Sequence, residues 1–372
     1  MIMLEQAAEP AATAHAASTT LTAELVEALR RFPGSTVSDD DSTLSFAAVY
    51  AAAARRSGIL RCRFVPGEAV PLRSRNSIGF VIDLLGYLLS GLRPVLMAGA
   101  AVSAARTEQI LEYAAAGTDI DGSAVALYLT CDDATGVAKL IPRTHAGYLL
   151  SVWLAARNAE LTTDDCYLVS VPVAQNYALG CPGILGALLS GARVVLTRAT
   201  DYAGVTAAVA RHGATVLPLL PAQARCWYGR GVPASPSLRL VQIDGAAVKS
   251  ADVHALVRLF GVTVQYSFAM AEGLLCQSAP SDDLDHRAGR IGRTLSDRDE
   301  FRIVEPDQAG RGRLEVRGPC TITSYLAAPE VNATKFSPDG WLRTGNLASG
   351  AGGRRFVVHS RADDLINRGG CR

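Results

Sequence analysis

A glycine-containing loop between two apolar segments carries the clearest chemical signal in the sequence. The stretch Leu129 to His145 reads Leu-Thr-Cys-Asp-Asp-Ala-Thr-Gly-Val-Ala-Lys-Leu-Ile-Pro-Arg-Thr-His, the form of a loop that binds phosphate through backbone N–H groups and a lysine. Asp132 and Asp133 stand where such loops carry small, uncharged residues. At roughly 5 Å and an effective dielectric of about 20, each carboxylate opposes a phosphate charge by on the order of 3 kcal/mol. The sequence therefore predicts weakened phosphate binding, unless both acids lie on a solvated turn and pair with Lys139 or Arg143.

The elements that must position this loop are short apolar runs that alternate with longer periodic segments. Strands are predicted at Ala126–Leu129, Cys166–Val171, Ala192–Leu196, Thr215–Leu220, Leu238–Ile243 and Val262–Tyr266. Helical periodicity separates them, as at 202–212 and 251–260. This alternation indicates a mostly parallel α/β sheet. After about residue 285, short apolar runs with Gly and Asp turns predict a smaller, mainly β subdomain.

The N-terminal third also has α/β character, with predicted helices at 21–32 and 45–57. The apolar stretch 80–102 is interrupted by Asp83, Arg93 and Pro94, so it predicts a core helix plus strand and not a membrane span. We expect four segments, which are a disordered leader at 1–18, a shortened α/β subdomain at 19–123, an α/β subdomain at 124–285 and a β-rich subdomain at 286–372.

Composition excludes several classes of partner and site. The chain has 372 residues and a formal net charge of +1, so it provides no single-sign field for nucleic acid or an anionic membrane, and a small molecule or a protein is the expected partner. The eight cysteines form no CxxC pair, which predicts reduced thiols and a cytoplasmic protein. The six histidines form no HxH or HExxH pattern, so no structural metal site is expected. The leader lacks the basic start and continuous apolar stretch of a secretory signal.

Five short motifs occur in an order and spacing that point to one family. They are Lys139-Leu-Ile-Pro-Arg-Thr-His145, Asn176-Tyr177 with Cys181-Pro-Gly183, Phe268-Ala-Met-Ala-Glu-Gly273, Asp339-Gly-Trp-Leu-Arg-Thr-Gly345 and Ile366-Asn-Arg-Gly-Gly370. With them the chain resembles the large N-terminal domain of adenylate-forming ligases, most closely the aryl acid–AMP ligases that load salicylate or 2,3-dihydroxybenzoate in siderophore-type assembly lines. The resemblance implies that domain's fold, in which helices sandwich mostly parallel sheets and a smaller β subdomain follows.

The resemblance also implies an aryl acid pocket. Asn176, Tyr177 and Cys181 match the family's Asn-Tyr pair and the small residue that follows it, and the cysteine version is similar to the salicylate type. An amide can hydrogen-bond an ortho-hydroxyl or carboxylate, while an aromatic ring and a soft thiol clasp the substrate ring. The other implied pocket residues are Gln175, at a position where the family usually has a histidine, and Phe268, Ala269 and Met270.

The nucleotide site implied by the resemblance is altered at several positions. The phosphate loop reads Cys131-Asp132-Asp133 before Thr135 and Gly136, Asp244 enters the turn that lies along adenine, and Asn346 replaces the ribose-binding aspartate. Glu272, the implied magnesium ligand, and Arg361, near the ribose, are retained. The sequence also ends at Arg372, where the family's hinge leads to a domain with the catalytic lysine, and the part between 113 and 124 is shorter than in relatives. We therefore expect impaired adenylation, with ATP and magnesium as cofactors only if ligase activity survives.

Several functions remain open from the sequence. The first is a pseudo-ligase that keeps a salicylate-like pocket and serves a nonribosomal peptide or siderophore pathway. The second is an ATP-independent enzyme that acts on an aryl thioester or related intermediate delivered by a carrier protein. Its candidate catalytic residues are Asp132, Asp133, Lys139 and His145, with Cys131 as a possible nucleophile and His145 as its base. The third is an aryl acid ligase completed by a C-terminal domain in trans, and the fourth is a remnant with a structural role only.

Overall fold

The computed structural model describes residues 9–97, 125–132, 138–230, 236–245, 248–284, 287 and 293–361. Its helices are α1 Glu9–Ser18, α2 Leu21–Arg31, α3 Phe46–Arg61, α4 Ile78–Leu89, α5 His145–Asn158, α6 Asn176–Gly180, α7 Gly183–Leu189, α8 Tyr202–His212, α9 Pro221–Trp227, α10 Ser250–Phe260 and α11 Pro329–Lys335. Its strands are β1 Thr36–Asp39, β2 Thr43–Ser45, β3 Ala69–Arg73, β4 Arg93–Met97, β5 Val125–Asp132, β6 Ala138–Thr144, β7 Cys166–Val169, β8 Arg193–Leu196, β9 Val216–Leu219, β10 Leu240–Asp244, β11 Thr263–Ala269, β12 Leu275–Gln277, β13 Glu300–Val304, β14 Gly312–Arg317, β15 Leu342–Gly350 and β16 Phe356–Arg361.

The largest sheet in the described part of the chain has the strand order β12-β11-β10-β9-β7-β8-β1-β2. Its central strands pair in parallel, and only β2 and β12 at the two edges pair antiparallel. Every residue of β7 and β9 is buried, as expected for parallel strands covered by helices on both faces. The predicted α/β class with mostly parallel sheets is confirmed.

A second sheet has the order β3-β4-β5-β6. Strands β5 and β6 form an antiparallel hairpin, and the phosphate-loop-like segment connects them. Asp133, Thr135 and Gly136 lie outside the described residues, as does the 366–370 motif. The eight-stranded sheet and this four-stranded sheet each contain strands from before and from after residue 123. The predicted boundary between two α/β subdomains at residue 123 therefore does not coincide with a boundary between sheets.

A third sheet, β13-β14-β15-β16, is antiparallel throughout. All of its strands lie within the segment predicted as β-rich, 286–372. Phe356 on β16 is fully buried and packs at 4.8 Å between ring centroids against Phe301 of β13. This cluster includes buried residues of the eight-stranded sheet, so the two sheets share a core.

Residues 9–18 form helix α1, so the prediction of a disordered leader is wrong for this part of it. The His15 ring stacks on Trp153 of α5 at 5.1 Å, and Ala16 is buried. Glu9 accepts a hydrogen bond of 2.5 Å from the Ser296 hydroxyl. These partners are distant in sequence, which is why the alanine-rich composition alone did not indicate an ordered helix. No helix among the described residues has the length and apolar character needed to span a membrane.

Candidate functional site

The carboxyl ends of the parallel strands meet at one edge of the eight-stranded sheet, where ligands bind in open α/β sheets. Helix α6 begins at Asn176 a few residues after β7, β10 ends at Asp244, and β11 ends at Ala269. The sheet order thus brings Asn176 of the predicted acid pocket and Asp244 of the predicted adenine turn to one edge, although 68 positions separate them in the sequence.

Asn176 is the centre of the polar contacts in this crevice. Its Oδ1 accepts a hydrogen bond of 2.8 Å from the Tyr148 hydroxyl. Its Nδ2 lies 3.3 Å from the Cys181 sulfur and 3.4 Å from the Met270 carbonyl oxygen, with both of these as acceptors. The amide orientation is therefore set by three other segments of the chain. An amide oxygen can accept two hydrogen bonds, and Tyr148 supplies one of them.

The other predicted pocket residues divide between two hydrophobic cores. Tyr177 and Cys181 are almost fully buried in one core, and the partly buried Ala269 packs against it. Phe268 is almost fully buried in the other core, and the partly buried Met270 packs against it. Gln175 is partly buried. Burial, and then the nearby Asp244, raise the pKa of the Cys181 thiol far above its usual range. Cys181 is therefore a protonated, unreactive thiol whose sulfur accepts from the Asn176 amide.

Asp244 lies at the end of β10 and contacts the backbone of the neighbouring strand. Its Oδ1 accepts a hydrogen bond of 3.0 Å from the Ala269 N–H, and the Ser267 hydroxyl also bonds to it. Burial raises the pKa of Asp244 to about 7 even though both hydrogen bonds lower it. The carboxyl group predicted to add a charge beside adenine is thus close to half ionised at neutral pH.

Tyr325 contacts both Lys139 and Glu272. These are the two retained residues whose charges suit a nucleotide phosphate and a magnesium ion. The Tyr325 hydroxyl donates a 2.8 Å hydrogen bond to Glu272 Oε1, and the Lys139 ammonium lies 5.5 Å from the centre of the Tyr325 ring. Glu272 is 8% exposed, so its carboxylate is presented from a largely buried position. Phosphate prefers a cationic ammonium and magnesium prefers carboxylate oxygens, so this pair fits MgATP. Among the described residues, no three His, Cys, Asp or Glu side chains group closely enough to hold a metal ion by themselves.

The hairpin register separates the residues proposed for ATP-independent catalysis. Cys131 lies opposite Lys139 and Asp132 lies opposite Ala138, at the loop end of the β5–β6 hairpin. His145 follows β6 at the other end, six residues beyond Lys139, or about 20 Å of extended strand. The hypothesis that His145 serves as the base for Cys131 is therefore wrong. Burial lowers the pKa of His145, which begins helix α5.

The predicted ribose-site residues are neighbours across two strands of the third sheet. Asn346 of β15 pairs in register with Arg361 of β16. Asn346 is buried, and its Nδ2 donates to the Thr344 carbonyl oxygen at 3.3 Å. Its amide is thus turned partly toward its own strand. The side chain of Arg361 is not among the described ones.

Two residues of the site, Tyr148 and Tyr325, were missed from the sequence. Tyr148 lies one helical turn after His145, a spacing that could have placed it on the same face of α5 as His145. Tyr325 lies in a segment with no periodic pattern, and only the fold brings it to Glu272.

Comparison with known proteins shows the family of the chain. Residues 134–326 match the family model described as AMP-binding enzyme. A salicylyl-CoA synthase / salicylate adenylyltransferase of a Streptomyces species is 39% identical over 67% of this chain and 47% of that protein. The salicyl-AMP ligase / salicyl-S-ArCP synthetase of Mycobacterium tuberculosis is 37% identical over 67% of this chain and 46% of that protein. The chain therefore spans about half the length of the curated relatives it matches.

Solved structures agree with the observed fold. An apo structure of MbtA from Mycobacterium smegmatis has a TM-score of 0.85 and 31% sequence identity, and the match covers 95% of this chain and 77% of that one. The O-succinylbenzoate coenzyme A synthetase of Bacillus subtilis, solved with ATP and magnesium ion, has a TM-score of 0.78 at 20% identity, covering 93% of this chain and 81% of that one. The second likeness concerns the fold alone.

Proposed function

The chain belongs to the AMP-binding family of adenylate-forming enzymes, and from this premise we propose that it binds a small aryl acid of the salicylate class in the crevice around Asn176. The contacts of Asn176 carry the proposal. Tyr148, Cys181 and Met270 hold the amide in one orientation, and this leaves one Oδ1 lone pair for the ortho-hydroxyl group of an aryl acid. A preoriented acceptor above an apolar floor favours a ring with an ortho-hydroxyl group over a plain benzoate.

The nucleotide half of the site is proposed to be weakened. Asp244 places a carboxyl group with a pKa of about 7 at the end of β10, and Asn346 offers a neutral amide that already bonds to its own strand. An ionised Asp244 beside a bound nucleotide would repel its phosphates. We propose that adenylation by this chain is impaired and that aryl acid binding does not depend on ATP.

A second candidate function is that of an ATP-dependent aryl acid–AMP ligase. The convergence of Lys139 and Glu272 on Tyr325 favours it, because this pair would hold the phosphates and magnesium of MgATP. When bound, MgATP would supply the adenylyl group. The chain's own contribution would be to position the acid through Asn176 and the phosphates through Lys139.

The names of relatives suggest the setting. One relative is a salicyl-S-ArCP synthetase, and another, from Pseudomonas aeruginosa and 38% identical over 66% of this chain, is the pyochelin synthase PchD. We propose that the aryl ligand or its derivative belongs to a nonribosomal peptide or siderophore-type pathway, that a carrier protein is the partner, and that the protein acts in the cytoplasm.

Calorimetric titration with salicylate, with and without MgATP, tests both functions. Salicylate binding that ignores MgATP would support the first proposal, and stronger binding with MgATP would support the ligase. Benzoate serves as the matched ligand, because it lacks the ortho-hydroxyl group. We expect benzoate to bind about three- to tenfold more weakly, the range for one hydrogen bond.

The matched variant is Asn176→Asp, which keeps an oxygen acceptor for Tyr148 but loses the amide donor and adds a charge that repels the ligand carboxylate. We expect salicylate binding to be lost while the circular dichroism spectrum stays unchanged. Equal affinities of the wild-type protein for salicylate and benzoate would contradict the role given to Asn176. Absence of any aryl acid binding would refute both functions.

A further inference from the structure

Gln277 at the end of β12 is a buried amide that bonds to the segment carrying two of the pocket residues. The residue is 1% exposed. Its Nε2 donates to the Cys181 carbonyl oxygen at 3.2 Å and to the Ser267 hydroxyl at 3.4 Å. Its Oε1 accepts a hydrogen bond of 3.3 Å from Asn158 Nδ2. Both amide protons and one oxygen lone pair are thus engaged, which gives the Gln277 amide a single orientation.

The pocket residues Asn176 and Cys181 lie at opposite ends of one short segment. Asn176 begins helix α6, and Cys181 follows the last residue of that helix. The Asn176 Nδ2 nevertheless reaches the Cys181 sulfur at 3.3 Å. This contact depends on where the Cys181 backbone lies, and Gln277 holds that backbone by its carbonyl oxygen. Gln277 is therefore linked to the Asn176 amide through a single residue.

Helix α5 supports this segment from both of its ends. Tyr148, near the start of the helix, donates to Asn176 Oδ1 at 2.8 Å. Asn158, the last residue of the helix, donates to Gln277. These two residues are ten positions apart, which corresponds to about 15 Å along a helix. One rigid element thus bonds to the segment directly at Asn176 and, through Gln277, at Cys181.

The partner of Gln277 distinguishes it from other buried glutamines of the same sheet. Gln242 and Gln265 are fully buried and bond to each other at 2.6 Å, which connects the neighbouring strands β10 and β11. Gln277 reaches out of the sheet to a residue of the aryl pocket. Burying an amide costs free energy that an apolar side chain would avoid, so its contact with Cys181 indicates a role beyond filling the core.

We propose that Gln277 is a positioning residue of the aryl acid pocket, which fixes the Cys181 backbone and, through it, the Asn176 amide. This inference rests on the proposed aryl acid function and adds the residue that maintains the preference for an ortho-hydroxyl group. Without the Gln277 donor, the Cys181 backbone shifts and its sulfur moves away from the Asn176 amide. The ortho-hydroxyl group of the ligand then loses an acceptor of fixed orientation, since members of a buried polar network depend on one another.

Calorimetric titration of the full chain with salicylate and with benzoate tests this role. The ratio of the two affinities is the quantity to compare, because a general loss of stability weakens the binding of both ligands alike. Gln277→Met keeps an unbranched side chain of similar length but removes the donor. We expect the wild-type preference for salicylate, about three- to tenfold, to fall below about twofold in this variant.

Gln265→Met is the matched control. In the described part of the chain, the Gln265 side chain bonds to Gln242, Asn158 and Ser278 and not to Cys181. This variant should lose stability in urea unfolding, as Gln277→Met does, but it should keep the preference for salicylate. An equal loss of preference in both variants would mean that disturbance of the sheet lowers it, and this would overturn the role given to Gln277.

If Gln277→Met fails to fold, Gln277→Asn decides the question, because it keeps an amide but draws it back by one C–C bond, about 1.5 Å. The donor then lies beyond hydrogen-bond reach of the Cys181 carbonyl oxygen. An unchanged preference in either folded variant would refute the positioning role alone. A wild-type protein that binds salicylate no better than benzoate would refute both the role given to Asn176 and this inference.

Discussion

The substitution Asp244→Asn should stabilise the protein in a way that depends on pH. The variant keeps an Oδ1 acceptor for the Ala269 N–H but cannot ionise. In the unfolded chain Asp244 has a pKa near 3.8, and in the fold burial raises the pKa to about 7. The folded state therefore favours the protonated acid, so this group's contribution to stability is complete below about pH 4, declines between pH 4 and pH 7, and is lost above pH 7. At about 1.4 kcal/mol per pH unit, the ionised form costs the folded state at most on the order of 4 kcal/mol.

Urea unfolding of the wild-type protein and of Asp244→Asn at several pH values from 4.5 to 8 measures this effect. The free energy of unfolding of the variant, relative to the wild type, should increase steadily up to about pH 7 and then level off. Asp164→Asn, at an exposed aspartate, is the control and should show a nearly constant difference. A constant difference for Asp244→Asn across the same range would refute the argument, because it would mean that Asp244 ionises as easily in the folded protein as in the unfolded chain.

Two further substitutions test contacts that support the site. Tyr325→Phe removes the donor to the buried Glu272 carboxylate, so urea unfolding should show a loss of about 2 kcal/mol, and a loss below about 0.5 kcal/mol would contradict the contact. Gly273→Ala would put a methyl group 1.8 Å from the Cys320 carbonyl oxygen at a φ of +124°, so we expect a loss above about 3 kcal/mol or failure to fold. Gly310→Ala, at a φ of +73° with open space around it, should cost only about 1 kcal/mol, and equal costs for the two alanines would contradict the steric argument.

Helix α1 shows where local sequence was insufficient. The leader is rich in alanine and contains Pro10, and its composition suggested disorder. Its order depends on Ala16, on the His15 ring against Trp153, and on the Glu9 carboxylate at Ser296. Each contact joins segments far apart in the chain, so no sequence window around residue 9 contains the information.

The β5–β6 hairpin also shows that local sequence does not determine which residues meet, here within the candidate site. The sequence identified Cys131, Lys139 and His145 as residues able to do chemistry, and all three lie on or beside one hairpin. It could not say which of them meet, because proximity along a hairpin depends on register. The register puts Cys131 opposite Lys139 and leaves His145 at the far end.

The sequence by itself determined the α/β class, most of the strands and helices, and the family. These properties follow from local periodicity and from short motifs, which report how each segment is buried and hydrogen-bonded. Only the tertiary structure decided that Tyr148 bonds to Asn176 and that Lys139 and Glu272 share Tyr325. The physical reason is that sheet order and strand register, which bring distant residues together, are set by the packing of the whole chain and not by any single segment.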